Sequence, residues 1–158
     1  MPKDAEPLYT GLRVRNIARS VRFYRTLGLR EVLRKKTALG EFVQLESRRS
    51  GWTLELSVFR AGSQRDGPYR PGSALDHLAF LVNDVDRTVR ALVRAGGRVR
   101  FDPFPADVAL AHRGTSVGRA AFVIDPDGIW IELLGPSVTP RTARKVAHRP
   151  SPRRGRRR

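Results

Sequence analysis

The sequence repeats its own pattern at an interval of 68 residues. Adding 68 to a residue number carries a strand, a helix cap, the apolar stripe of a helix and a terminating glycine from the first half of the chain onto the second. The coinciding positions are Tyr9/His77, Leu12/Phe80, Val14/Val82, Asn16/Asp84, Ile17/Val85, Val21/Val89, Tyr24/Leu92, Leu27/Ala95 and Gly28/Gly96. Chance would not preserve so many structurally different positions together, so the pattern indicates an internal duplication.

A glutamate recurs at the same point in the last strand of each half. An offset of 77 lays residues 51–56 (GWTLEL) on residues 128–133 (GIWIEL), so that Glu55 coincides with Glu132. Alternation along the second of these strands puts Trp130 and Glu132 on one face of the sheet. Each half is therefore predicted to fold as strand–helix–strand–strand–strand. We expect module one at 8–59, a turn-rich linker at 60–74 and module two at 75–136, forming one domain over 1–136.

Two shorter segments complete the prediction of the fold. Asp125-Pro126-Asp127-Gly128 separates two β-rich apolar runs, and proline followed by glycine favours a tight hairpin turn between them. Residues 106–118, which contain His112, are predicted to form a loop.

Charge is concentrated at the end of the chain. The net charge of +16 includes nine lysines and arginines, without a single acid, after residue 140, whereas the first 140 residues carry 22 bases against 15 acids. The tail at 137–158 has little to bury and is predicted to be disordered. It is interpreted either as a solubilising end or as an arm for nucleic acid or acidic surfaces.

Composition limits the class of protein. The absence of cysteine excludes disulfides and thiolate ligands. The sequence has no apolar run of membrane-spanning length and no secretory leader pattern at its start, so a soluble cytoplasmic protein without membrane contact is expected.

The duplication predicts where the chemically reactive side chains meet. If the modules pack about a pseudo-twofold axis, Tyr9 approaches His77 and Glu55 approaches Glu132. Two carboxylates and an imidazole are costly to bury unpaired, and a divalent cation resolves that cost. Oxygen and nitrogen ligands suit Zn²⁺, Ni²⁺, Co²⁺, Mn²⁺ or Fe²⁺. The alternative is that His77 merely hydrogen-bonds to its neighbour Asp76, while the glutamates face water or arginine.

Three segments resemble the vicinal-oxygen-chelate superfamily, which includes glyoxalase I, the fosfomycin and bleomycin resistance proteins and the extradiol dioxygenases. They are residues 8–32 (LYTGLRVRNIARSVRFYRTLGLREV), 75–99 (LDHLAFLVNDVDRTVRALVRAGGRV) and 120–136 (AAFVIDPDGIWIELLGP). The resemblance implies an α+β fold in which two tandem βαβββ modules form a cup-shaped, eight-stranded mixed sheet. It also implies a homodimer.

The pattern is most similar to glyoxalase I, which draws metal ligands from the first and last strands of both modules. Carried onto this sequence, those positions are Tyr9, Glu55, His77 and Glu132. Tyr9 departs from the family, which has histidine or glutamine there, and a neutral phenol is a poor ligand. The resemblance also implies that a ligating glutamate transfers the proton, with Glu132 preferred over Glu55.

Three residues are expected to bind substrate. Arg13 stands where glyoxalase I has an arginine that pairs with a glutathione carboxylate. Phe59 replaces a glutathione-binding asparagine, which argues against glutathione itself. Trp130 is expected to line the cup or to belong to the core.

Two main functions remain open at this point. One is a metal-dependent lyase or isomerase that acts on a small oxygenated, anionic substrate by bidentate chelation and proton transfer. The other is a metal-free ligand-binding or drug-sequestering protein of the bleomycin resistance type. Dioxygenase chemistry ranks low because Tyr9 removes one residue of the ferrous triad. A third and weaker hypothesis makes the domain a scaffold for a nucleic-acid-binding tail.

Overall fold

The computed structural model describes residues 7–71, 75–110 and 115–137. Two copies of the same five-element unit follow one another, which confirms the two predicted βαβββ modules. The first unit consists of β1 (Thr10–Arg13), α1 (Ile17–Arg25), β2 (Leu29–Lys36), β3 (Gly40–Ser47) and β4 (Thr53–Phe59). The second consists of β5 (Leu78–Leu81), α2 (Val85–Arg94), β6 (Arg98–Leu110), β7 (Thr115–Ile124) and β8 (Trp130–Gly135).

Each module forms its own mixed four-stranded sheet, and the predicted α+β class is confirmed. The strand orders are β1-β4-β3-β2 and β5-β8-β7-β6, with the first pair of each sheet parallel and the other pairs antiparallel. The duplication extends to the register. Gly11 lies opposite Glu55 in the first sheet, and Ala79 lies opposite Glu132 in the second.

Both helices begin at the predicted caps. The Asn16 side chain accepts a hydrogen bond from the Arg19 amide at 2.9 Å, and the Asp84 side chain accepts one from the Arg87 amide at 2.8 Å. Such caps satisfy a backbone N–H that has no partner within the helix. The buried apolar residues include the predicted Ile17, Val21 and Tyr24 in α1 and Val85, Val89 and Leu92 in α2. Phe23, which the predicted stripe did not include, is also fully buried in α1.

One hydrophobic core connects the two modules. Buried residues of α1, including Phe23 and Tyr24, belong to the same cluster as Ile131 and Leu133 of β8. The packing is tight at Gly97, where a β-carbon would lie 2.8 Å from the Phe23 ring. Because a larger side chain would clash there, glycine at this position allows α1 of module one to approach module two.

The predicted hairpin turn at 125–128 is confirmed, and it also makes tertiary contacts. The Gly128 amide donates to the Asp125 carbonyl at 3.2 Å, and Gly128 has a φ of 99°, a region that glycine tolerates without strain. The turn packs against α1, where Asp127 is fully buried. Asp127 accepts hydrogen bonds from the Arg15 amide, the Arg19 guanidinium and the Ser20 hydroxyl at 3.0, 2.8 and 2.7 Å.

A second buried pair connects the same two elements. The Tyr24 hydroxyl donates to Asp125 at 2.8 Å. Burial and the neighbouring Asp125 carboxylate raise the pKa of Tyr24 well above its ordinary value, and burial raises the pKa of Asp125 despite three hydrogen bonds that favour its charged form. The phenol therefore stays protonated and remains a donor in this contact.

One sequence-based boundary was wrong. The segment predicted as a loop at 106–118 is largely strand, because β6 continues to Leu110 and β7 begins at Thr115. Pairing between two long neighbouring strands overrides the local turn preference of the glycine and polar residues in this segment. His112 and the basic tail beyond 137 lie outside the described residues. None of the described helices is long and apolar enough to cross a membrane.

Candidate metal and substrate site

His77 and Glu132 form the central pair of the candidate site. His77 directly precedes β5, and Glu132 lies on the neighbouring strand β8, so parallel pairing of these strands brings the two side chains together. His77 Nε2 is 3.2 Å from Glu132 Oε2. The side chains are 33% and 19% exposed, which leaves both accessible to a ligand while limiting their hydration.

The other ring nitrogen of His77 faces Asp76. Nδ1 lies 2.6 Å from Asp76 Oδ2, a hydrogen-bond distance in which the ring nitrogen is the donor because the carboxylate can only accept. A lone pair on Nε2 would then face a carboxylate oxygen, which is unfavourable unless a second proton or a metal ion lies between them. An imidazole nitrogen and a carboxylate oxygen are ligands that Zn²⁺ and related ions prefer. The pair therefore fits the cation that the resemblance implies.

The equivalent position in module one is arranged differently. Gln44 lies opposite Glu55 in the sheet and donates a hydrogen bond from Nε2 to Glu55 Oε2 at 3.0 Å. On the other side of Glu55 lies Gly11, where an added β-carbon would meet nothing within 4 Å. Tyr9, just before β1, is 51% exposed. Glu55 thus has open space beside it and no arginine partner among the described residues.

The described part of a single chain does not assemble the complete predicted ligand set. Within residues 7–71, 75–110 and 115–137, no group of three or more histidine, aspartate or glutamate side chains could hold a metal ion. Of the four predicted ligands, His77 and Glu132 are in contact, Glu55 is hydrogen-bonded to Gln44, and Tyr9 lies just before β1. The four-residue metal site stays a prediction.

An aromatic cluster lies beside the His77–Glu132 pair. Phe122 lies opposite Glu132 in the sheet and makes edge-to-face contacts with His77, Phe101 and Trp130 at ring-centre distances of 5.9, 5.7 and 6.1 Å. The Arg100 guanidinium lies over the Phe101 and Trp130 rings at 5.0 and 5.1 Å. This aromatic cluster, Phe101, Phe122 and Trp130, offers an apolar surface with a positive charge at its edge.

Sequence reasoning identified only part of this cluster. Trp130 was expected at the site from strand alternation, whereas Phe122 and Arg100 were missed. Alternation could have found Phe122 once β7 was paired with β8, because that pairing puts it opposite Glu132. Arg100 gave no distinguishing signal among many exposed arginines.

Arg13 and Phe59 lie together in module one. The Arg13 guanidinium is 5.4 Å from the centre of the Phe59 ring, and Arg65 lies over the same ring at 5.1 Å. Arg13 also donates to the Gly67 carbonyl at 2.7 Å and lies 3.8 Å from Asp66. The predicted linker thus folds back onto Arg13, which leaves this arginine partly engaged by its own chain.

A cavity of about 500 Å³ lies beside His77. Its lining combines β5 with the turn between β3 and β4 and includes Thr10, Arg49, Trp52 and Phe80. Trp52 and Phe80 meet edge to face across the two modules at 5.9 Å. The volume is large enough for a small organic ligand.

Comparison with known proteins identifies the family. Residues 7–133 match the model of the Glyoxalase/Bleomycin resistance protein/Dioxygenase superfamily. The chain belongs to this superfamily. This membership confirms the resemblance drawn from the three sequence segments.

Two relatives within the superfamily are named after a glyoxalase activity. The probable lactoylglutathione lyase of Vibrio cholerae is 32% identical over 133 residues, covering 80% of this chain and 88% of that protein. The lactoylglutathione lyase of Haemophilus influenzae is 34% identical over 133 residues, covering 80% and 90%. The chain therefore spans most of the length of both relatives.

Solved structures of the superfamily share the fold. The trypanothione-dependent glyoxalase I of Leishmania major is 26% identical with a TM-score of 0.57, covering 84% of this chain and 87% of that one. A glyoxalase family protein from Bacillus cereus has a TM-score of 0.61 at 16% identity, covering 85% and 97%, and this likeness shows the fold alone.

Proposed function

We propose that this protein is a glyoxalase-like, metal-dependent lyase or isomerase acting on a small oxygenated, anionic substrate. The observation that carries the proposal is the contact between His77 Nε2 and Glu132 Oε2 at 3.2 Å. Both side chains stand at positions predicted to ligate metal, and the other ring nitrogen of His77, Nδ1, lies 2.6 Å from Asp76 Oδ2. The lactoylglutathione lyases among the relatives support the same reaction class.

The complete metal site is proposed to form in a homodimer. One chain holds the His77–Glu132 pair on module two and Glu55 on module one. Both glutamates face away from the shared core, which their strand neighbours enter. In a twofold dimer, module one of one copy can meet module two of the other, and the symmetry creates two equivalent sites. Glu55, and Tyr9 or a water molecule in its place, would then complete the coordination of a metal bound to His77 and Glu132.

Each residue of the site has a proposed role. A bound divalent ion would act as a Lewis acid that polarises two vicinal oxygens of the substrate. Glu132 is proposed to move the proton, because it lies 3.2 Å from His77 Nε2, opposite Phe122 in the sheet, and is only 19% exposed. Trp130 and Phe122 would contact the apolar part of the substrate.

The substrate is proposed to be anionic. Arg13 and Arg100 stand at the edges of the two halves of the site, and Arg49 lines the neighbouring cavity. Phe59 carries no amide to hydrogen-bond a peptide-like group, so a substrate smaller than a glutathione conjugate fits this chain better. The positive charges favour binding of a carboxylate by charge-assisted hydrogen bonds.

Metal retention tests this function. Protein purified without chelator is expected to hold about one Zn²⁺, Ni²⁺, Co²⁺, Mn²⁺ or Fe²⁺ ion per chain, and His77→Ala is expected to lose it because an essential nitrogen ligand is gone. Elemental analysis of the two proteins measures the difference. Glu46→Gln, which alters an acid paired with Arg30 on β3, is the control and should keep the metal. Equal metal content in parent and His77→Ala would refute the site.

Subunit complementation tests the dimer. Glu55→Gln and Glu132→Gln each remove a predicted ligand from a different module. If two chains share each site, a heterodimer of the variants contains one site with both changes and one site with neither. We expect this heterodimer, isolated with two affinity tags, to show about half the activity of the parent. Activity no higher than that of either homodimer would show that the site is not shared.

A metal-free ligand-binding protein is the second candidate. Tyr9 at a ligand position and the aromatic cluster beside Glu132 favour it, because aromatic surfaces bind ligands without chemistry. Parent protein without metal would support this candidate. The tail at 137–158 stays a predicted contact for nucleic acid or acidic surfaces, and the cytoplasmic location stays a prediction.

A further inference from the structure

The two copies of the duplication differ most sharply at the residues that precede their first strands. Position 8–9 reads Leu-Tyr in the first module, and the equivalent 76–77 reads Asp-His in the second. The acid and the imidazole thus occur together in one copy and are both absent from the other. In the described structure they are bonded, with His77 Nδ1 and Asp76 Oδ2 separated by 2.6 Å.

The geometry points to Asp76 as a positioning residue. We infer that its carboxylate holds a proton of His77 on Nδ1 and thereby keeps Nε2 directed at Glu132 as a ligand for a cation. A neutral imidazole carries one proton, so a proton fixed on Nδ1 leaves the lone pair on Nε2. Without an acceptor at Nδ1, the proton would move to Nε2 and donate to Glu132, 3.2 Å away, which would block the ligand nitrogen.

The hydrogen bond of Asp76 also restrains the ring. Phe122 contacts the imidazole edge to face at a ring-centre distance of 5.9 Å. The hydrogen bond from Nδ1 to Asp76 further restrains the rotation of the ring about its bond to Cβ. Carboxylates in this position raise the basicity of a ligating histidine and set its orientation, and their removal commonly lowers metal affinity by about 10- to 100-fold. Because the Asp76 side chain is 88% exposed, water competes for the hydrogen bond and the lower end of that range is expected.

The position of the proton can be tested without any metal. Long-range ¹H–¹⁵N NMR spectra report which ring nitrogen carries a proton, and the chain has only three histidines, so a His77→Gln spectrum assigns the signal. The metal-free parent is expected to carry a proton on His77 Nδ1, which lies 2.6 Å from Asp76 Oδ2. Asp76→Ala is expected to show the proton on Nε2 alone. Protonation of Nδ1 in both proteins would overturn the inference.

The role toward the cation is tested by calorimetric titration with Ni²⁺ alone. Asp76→Ala is expected to bind Ni²⁺ about tenfold more weakly than the parent. Glu46→Ala removes the same negative charge from an acid paired with Arg30 in module one, and it should bind like the parent. An equal loss of Ni²⁺ affinity in both variants would show that Asp76 acts only through its negative charge, and it would overturn the positioning role.

This inference rests on the proposed function only for its second test. If the parent binds no Ni²⁺ while the NMR spectra show the expected change on Asp76→Ala, the proposed metal dependence fails and the control of the His77 proton by Asp76 stands. If the parent binds Ni²⁺ and the spectra of parent and variant agree, the metal site stands and the role of Asp76 fails.

Discussion

Asp127→Ala is expected to lower the free energy of unfolding by about 3 kcal/mol. The fully buried carboxylate accepts hydrogen bonds from the Arg15 amide, just before α1, and from the Arg19 guanidinium and the Ser20 hydroxyl within α1. Alanine would leave the Arg15 amide without its acceptor and the Arg19 charge without its partner. Because these contacts hold the turn of module two against the helix of module one, both modules should lose stability together.

Urea unfolding at a fixed protein concentration measures this loss, with the concentration held constant because a dimer would couple stability to association. Asp66→Ala is the matched control. Asp66 also accepts two backbone hydrogen bonds, from Gly62 and Gly67, but it lies in an exposed turn where water replaces the lost acceptor. We expect the control to lose no more than about 1 kcal/mol. Similar losses in the two variants would show that the contact with α1 adds little.

Under the proposed function, Glu132→Gln is expected to lower kcat/KM for the glyoxalase-type lyase reaction by about a thousandfold. Glutamine keeps the size and shape of glutamate but cannot take up the proton. Its amide would also place a donor group or a neutral oxygen 3.2 Å from the ring nitrogen of His77. A cation shared by the two side chains would therefore bind more weakly. Loss of the proton acceptor and weaker binding of the cation both lower the rate of the reaction, so a large loss is expected.

The roles of the two glutamates are separated by comparing Glu132→Gln with Glu55→Gln at equal metal loading. One oxygen of Glu55 already accepts a hydrogen bond from Gln44, whereas Glu132 is in direct contact with His77. The larger loss is therefore expected for Glu132→Gln, and Glu46→Gln should resemble the parent. A smaller loss for Glu132→Gln than for Glu55→Gln would reassign the proton transfer to Glu55.

Much of the fold follows from local sequence patterns. The caps Asn16 and Asp84 occupy the predicted positions because a cap depends on a side chain and an amide only three residues apart. The placement of Glu55 and Glu132 on their strands was predictable for a similar reason, since alternation fixes the face of a side chain within one strand.

The tertiary contacts of the turn at 125–128 were not predictable in the same way. Its two aspartates are typical of a hairpin turn, and this local role was correctly expected. Their burial against Tyr24 and Ser20 depends on residues more than one hundred positions away, and no periodic pattern reports such a distance. The aromatic partner Phe122 was missed because its relation to Glu132 exists only after β7 and β8 pair.

The sequence by itself determined the duplicated βαβββ unit, the position of His77 at the start of module two and of Glu132 on its last strand, and the family to which the chain belongs. Only the tertiary structure decided which of these side chains meet. It brought His77 into contact with Glu132 and Glu55 into contact with Gln44, because sheet pairing and register set the distances between strands. The hydrogen bond between the sequence neighbours Asp76 and His77 was already among the alternatives that the sequence offered. A periodic sequence specifies the face on which a side chain lies, whereas the residue it contacts depends on how the faces pack.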